Sequence, residues 1–167
     1  MSKSLYSLCL FSMVALSACG GSTPAPAPAR PVQPNSDIVA QEAGLTVRAN
    51  AVQTSALNEA VARRYGIARN DRTVMLLVGV RRGGGEDEIS VPARVTVAVG
   101  GLAGGKQPVE MRELRTGDPS AGSGHALLDY VGTVETALPD TLRFDIRIAT
   151  EDGVRAEAQF TREFYPR

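Results

Sequence analysis

Tryptophan is absent from this chain of 167 residues, histidine occurs once, at His125, and lysine only at Lys3 and Lys106; the two cysteines are Cys9 and Cys19. Each scarcity removes a class of function. One histidine, with cysteines confined to the first nineteen residues, leaves no ordinary zinc or iron–sulfur ligand set, so only oxygen donors remain for a metal. Aromatic residues make up 5% of the chain, too few without tryptophan for a sugar-stacking platform. The formal net charge is zero, and arginines such as Arg48, Arg94, Arg143 and Arg155 are scattered among acids rather than gathered in a run. No nucleic-acid partner is indicated, and no cofactor.

What is present speaks first at the N-terminus. Leu16-Ser17-Ala18-Cys19 has the form of a lipobox: an apolar residue, two small ones, then cysteine. Lys3 supplies a positive n-region, and Leu5 to Leu16 an apolar segment too short to span a bilayer as a permanent helix. Residues 1–18 are therefore expected to be removed as a lipoprotein signal peptide, and Cys19 to carry the lipid. Each buried methylene contributes about 0.8 kcal/mol, so two or three acyl chains make attachment effectively irreversible. Cys9 follows the bulky Leu8 and does not compete. Gly20, where aspartate would signal retention in the inner membrane, favours the outer membrane, with the protein facing the periplasm. Maturation leaves no thiol for a disulfide, so the fold must stand on its core.

Residues 19–41 read as the lipidated cysteine and a tether. Pro24, Pro26, Pro28, Pro31 and Pro34 alternate with alanine and small polar residues. Proline at that spacing holds the backbone near polyproline II, about 3 Å per residue, for a reach of roughly 50 Å. Residues 42–167 then form one domain, about 125 residues, enough to bury two-thirds of its unfolded surface without a staple.

From Leu45 onward the hydrophobic pattern is mostly of period two, in runs at 45–51, 74–80, 91–99, 109–114, 126–131, 142–148 and 156–164. Seven short strands imply an all-β, immunoglobulin-like antiparallel sandwich. Val74 to Val80 is apolar on both faces, as in a central strand covered on both sides, and Pro92 marks a strand start or an edge. Glu151-Asp152-Gly153 fits a three-residue hairpin loop that sets Ile148 opposite Ala156, Ile146 opposite Ala158, Phe144 opposite Phe160 and, on the other face, Arg147 opposite Glu157. A two-residue turn would pair inside with outside and is rejected. One short connecting helix is expected, with Ser55 as N-cap, Leu57, Val61 and Tyr65 on one stripe and Gly66 as a left-handed C-cap, covering an open end of the sandwich.

Ala60-Val61-Ala62-Arg63-Arg64-Tyr65-Gly66-Ile67-Ala68-Arg69, Leu142-Arg143-Phe144-Asp145-Ile146 and Phe164-Tyr165 resemble a bacterial family of unknown function, DUF4426. The resemblance covers nearly the whole domain and implies a small periplasmic or lipid-anchored protein with a sandwich-like fold; it brings no activity or ligand. The chain departs from the pattern after Val99, where it is richer in glycine, and around Asp118 to Gly124, which looks inserted.

Three apparent sites do not stand. Ser123, His125 and Asp129 suggest a hydrolytic triad, yet four residues along a strand set His125 about 13 Å from Asp129, and no Gly-x-Ser-x-Gly elbow presents the serine. Gly100 to Gln107 resembles a phosphate loop, but Gln107 replaces the magnesium-binding hydroxyl and the segment links two strands instead of opening a helix. Glu86-Asp87-Glu88 lacks the spacing of a calcium loop and reads as a solvated turn. Catalytic, cofactor and metal residues are therefore not assigned. The expectation is a non-catalytic binding or assembly module, anchored in the membrane through Cys19 and contacting an envelope protein through loops at Gly100 to Lys106 and Ser120 to His125. The alternative is a small-ligand-binding or hydrolytic lipoprotein with its site near His125.

Overall fold

The structure, a computed structural model, describes residues 38–83, 88–101, 104–116 and 127–166. The expected signal peptide, Cys19, the prolines of the expected tether, Glu86, Asp87, Ser123 and His125 lie outside them. In chain order the described elements are β1 (Ile38–Glu42), β2 (Leu45–Gln53), a turn of 3-10 helix (Thr54–Ala56), α1 (Glu59–Tyr65), β3 (Thr73–Arg82), β4 (Ile89–Ser90), β5 (Ala93–Gly100), β6 (Gln107–Val109), β7 (Arg112–Thr116), β8 (Leu127–Glu135), β9 (Asp140–Thr150) and β10 (Arg155–Phe164).

Two antiparallel sheets face each other. One runs β1-β2-β3-β8-β7 with β4 attached to β3, and the other runs β10-β9-β5-β6. The expected all-β sandwich is thus observed, and β3, with apolar residues on both faces, sits between β2 and β8. Alternation dictates the core: Val47, Ala49 and Ala51 of β2, Val74, Leu76, Val78 and Val80 of β3, and Phe144, Ile146 and Ile148 of β9 point between the sheets and are buried. Tyr130 of β8 ties the layers together, its hydroxyl accepting from the Ala93 N–H of β5 at 2.7 Å. Burial raises the Tyr130 pKa above the ordinary phenol value, outweighing that hydrogen bond.

The β9–β10 hairpin has the expected register, including Ile148 with Ala156, Phe144 with Phe160 and Arg147 with Glu157. Gly153 closes its loop at φ 84°, donating to the Thr150 carbonyl, while the Thr150 N–H donates to Val154. Here the turn and the two-residue period agree, which is why sequence alone suffices.

The described residues form ten strands rather than seven. The tether expectation ran to residue 41, yet Ile38–Glu42 pairs with β2 through an Ala43-Gly44 turn, so the last residues assigned to the spacer form an edge strand. The run at 109–114 is not one strand. Its beginning belongs to β6 in one sheet and its remainder to β7 in the other, with the corner at Glu110 and Met111. Gly132 permits that corner: a Cβ there would stand 2.6 Å from Met111 Sδ, 2.7 Å from Val109 Cγ1 and 2.8 Å from the Glu110 carbonyl oxygen.

The helix also differs from expectation. Leu57 is extended and precedes it, and the N-cap is Asn58, whose Oδ1 accepts from the Val61 N–H at 2.8 Å; Ser55 lies in the 3-10 turn. A helix starts where an acceptor meets its first free amides, and Asn58 is nearer that point than Ser55. Gly66 caps the other end as expected, at φ 62°, with Gly66 donating to Arg63 and Ile67 to Ala62 in a Schellman motif. Its C-terminal end borders the outer face of the six-stranded sheet, where a Cβ on Gly66 would be 3.8 Å from the Arg112 side chain of β7. Met75 and Val131 on that outer face, together with Ala62, are buried outside the inter-sheet core.

Candidate functional site

The return from α1 to β3 leaves a cleft of about 570 Å³ between Gly66–Asn70 and the strands β7 and β8. Ile67 and Val131 give it apolar wall, and Glu110, Arg112 and Glu135 give it charge of both signs. Strand register sets Val131 opposite Arg112 on the outer face, while Glu110 belongs to the corner over Gly132. Glu135 also lines a second cleft, of about 480 Å³, formed by Gly100, Gly101, Gly104 and Gly105 against Asp140. Its acids are partly committed: Asp140 accepts from the Thr136 hydroxyl at 2.5 Å and from the Thr141 N–H at 2.7 Å.

The glycine-rich segment joins β5 to β6, as expected of a hairpin loop and unlike a phosphate loop. Its last residue is fastened down. Lys106 Nζ lies 2.6 Å from Asp145 Oδ2 on the outer face of β9, where Gln159 also donates to the carboxylate and Arg143 stands 3.6 Å away. Burial pushes the Asp145 carboxyl up, but hydrogen bonds from Lys106 and Gln159 and the charges of Lys106 and Arg143 outweigh it and hold the pKa below the ordinary value.

Of the residues that suggested a triad, only Asp129 is described, and it has another task. Arg81 Nη2 donates to Asp129 Oδ1 at 2.5 Å, with the two side chains 10% and 16% exposed. Pairing of β3 with β8 ends at Gly79 and Asp129, after which β3 pairs with β4. Arg81 Nη1 fills that junction, donating to the Leu128 carbonyl at 2.8 Å and the Val80 carbonyl at 3.1 Å. Of the acidic run, Glu88 is described and accepts from Arg48 at 2.7 Å. Among the described residues no three His, Cys, Asp or Glu side chains gather as metal ligands would. Sequence reasoning missed the clefts and Arg81; an arginine ending an apolar run was the available signal for the latter.

A family model, Domain of unknown function (DUF4426), matches residues 40–167. The chain belongs to this family. No curated protein matches it. Among solved structures, the DUF4426 domain is similar to a DUF4426 family protein from Pseudomonas aeruginosa PAO1, at 22% identity and a TM-score of 0.60, covering 78% of this chain and 96% of that one. It is also similar to a copper-bound variant of FetP from uropathogenic Escherichia coli strain F11, at 10% identity and a TM-score of 0.52, covering 78% and 91%. Both likenesses concern the fold. Within the DUF4426 domain, Tyr65-Gly66-Ile67 forms the end of α1 and brings Gly66 and Ile67 to the lip of the first cleft.

Proposed function

We propose that this chain is a non-catalytic binding or assembly module, held at the outer membrane by lipid on Cys19, facing the periplasm and contacting another envelope protein. The observation that carries this reading is the filled space between the sheets: Phe144, Leu45, Leu76 and Ile146 are fully buried there. Recognition then belongs to the outside, where the cleft beneath Gly66–Asn70 sets Arg112 and two glutamates beside Ile67 and Val131. Mixed charged and apolar walls suit a segment of protein, which offers both kinds of group at once. The copper of the FetP neighbour is not carried over, because the described donors do not gather. The hydrolytic alternative loses support from Asp129, whose carboxylate neutralises Arg81.

Crosslinking in intact cells tests this, with Cys19→Ala as an unanchored control. One dominant protein partner, lost or greatly reduced in the control, is expected. No reproducible partner would overturn the reading and return the search to small ligands near His125.

A further inference from the structure

β10 is the longest edge strand of the described sandwich, and the paired hairpin dictates which of its backbone groups are unpaired. Thr150 and Val154 form a hydrogen-bonded pair. Because such pairs alternate along an antiparallel ladder, residues 156, 158, 160 and 162 turn their N–H and C=O toward β9, and Arg155, Glu157, Gln159, Thr161 and Glu163 turn theirs outward. The same five residues carry their side chains on the outer face of the sheet.

One outward amide is occupied: the Glu157 N–H donates to Glu42 Oε2 at 2.6 Å, a carboxylate standing where a neighbouring strand's carbonyl would come. The side-chain charges are arranged unevenly. Glu157 has Arg147 at 3.5 Å, whereas among the described residues Arg155 makes no ion pair and Glu163 has only the Tyr165 hydroxyl, at 2.6 Å. Two opposite charges of this kind thus stand at opposite ends of the edge.

We propose that this edge takes the β10 of a second copy of the chain, antiparallel and centred on Gln159. Only registers that set outward residue against outward residue make ladder bonds. Among these, pairing Gln159 with its own counterpart places Arg155 opposite Glu163 twice and Glu157 opposite Thr161. A shift of two residues one way sets Glu157 against Glu163, and a shift of four the other way sets Glu157 against itself, each a like-charge pair on the sheet face. A two-residue shift in that second direction opposes Arg155 to Thr161 and forfeits both charge pairs. Glu42 swings aside as the Thr161 carbonyl of the second copy takes over the Glu157 amide. This is a separate surface from the cleft and does not depend on the envelope partner.

Thiol crosslinking of the full chain in membranes tests the proposal, with wild type as the background and protease resistance as the folding control. Treated with a short bis-maleimide, Gln159→Cys gives a covalent dimer above background. Arg155→Cys and Glu163→Cys each give none alone, because like positions are about 27 Å apart across the two-fold. Coexpressed, those two variants give the mixed dimer. In the Gln159→Cys background, Arg155→Glu reduces the crosslink and adding Glu163→Arg restores it. A monomeric Gln159→Cys chain whose thiol still reacts with a monofunctional maleimide overturns the proposal, as does stronger crosslinking by Glu157→Cys or by Arg155→Cys alone.

Discussion

Phe144 and Phe160 face each other across the β9–β10 ladder with ring centroids 4.8 Å apart and planes inclined by 17°. Phe144 is wholly buried and Phe160 nearly so, so this stack is the aromatic centre of the smaller sheet's inner face. Truncation of either ring leaves a cavity that neighbouring strands cannot fill. Phe144→Ala is expected to cost about 3–5 kcal/mol, and Phe160→Leu distinctly less, as shifts in the denaturant midpoint with unchanged slope. By contrast, Arg147 and Glu157 are about three-quarters exposed at 3.5 Å. Arg147→Ala should change stability by no more than about 0.2–1 kcal/mol.

Gly132 carries the corner between the sheets. Gly132→Ala should destabilise by about 1–3 kcal/mol in equilibrium unfolding. Adding Met111→Ala removes the flexible part of the clash but leaves the Glu110 carbonyl, 2.8 Å from the new Cβ. Recovery in the double variant is therefore partial; full recovery would show that the backbone approach is unimportant.

Two positions with positive φ have opposite expectations. Gly66, at φ 62°, has room for a Cβ, so Gly66→Ala costs backbone strain alone, about 1 kcal/mol, and Gly66→Asn less. Ala43 already bears that strain at φ 51°, so Ala43→Gly should raise the melting temperature.

Asp129→Ala leaves Arg81 charged and buried without its partner, at a cost of about 3–5 kcal/mol. Replacing both, as Arg81→Met with Asp129→Leu, should recover much of that loss, although the Leu128 carbonyl then lacks its donor. A double-mutant cycle read by denaturant unfolding checks both statements.

Asp145 links stability to acid. Its folded pKa is lowered, so the stabilisation it provides is present above the unfolded carboxyl value, about 3.9, and is lost as pH falls through the lower folded value. Lys106→Ala removes a hydrogen bond and a charge while burial remains, so the Asp145 carboxyl titration, followed by NMR, should move to higher pH. No movement would show that Lys106 does not govern it.

Legibility of the sequence followed the range of the interactions. The β9–β10 register was readable because a turn and an alternating run, both local, specify the same pairing. The helix end at Gly66 was readable for the same reason. Ile38–Glu42 was not, since five residues behind a proline-rich stretch become a strand only by pairing with β2. The corner at Glu110 and Met111 was hidden because its enabling residue, Gly132, is distant in sequence. The clefts were invisible for a related reason: Ile67, Arg112 and Glu135 converge only through the fold.

The most direct test of the proposed binding role is a photo-crosslinking residue placed at Ala68, exposed at the cleft, in the full-length protein in living cells. Thr96, exposed on the outer face of β5 and away from both clefts, serves as the comparison. A single protein adduct at position 68 and none at 96 is the predicted result; adducts at neither position, or equally at both, would contradict it.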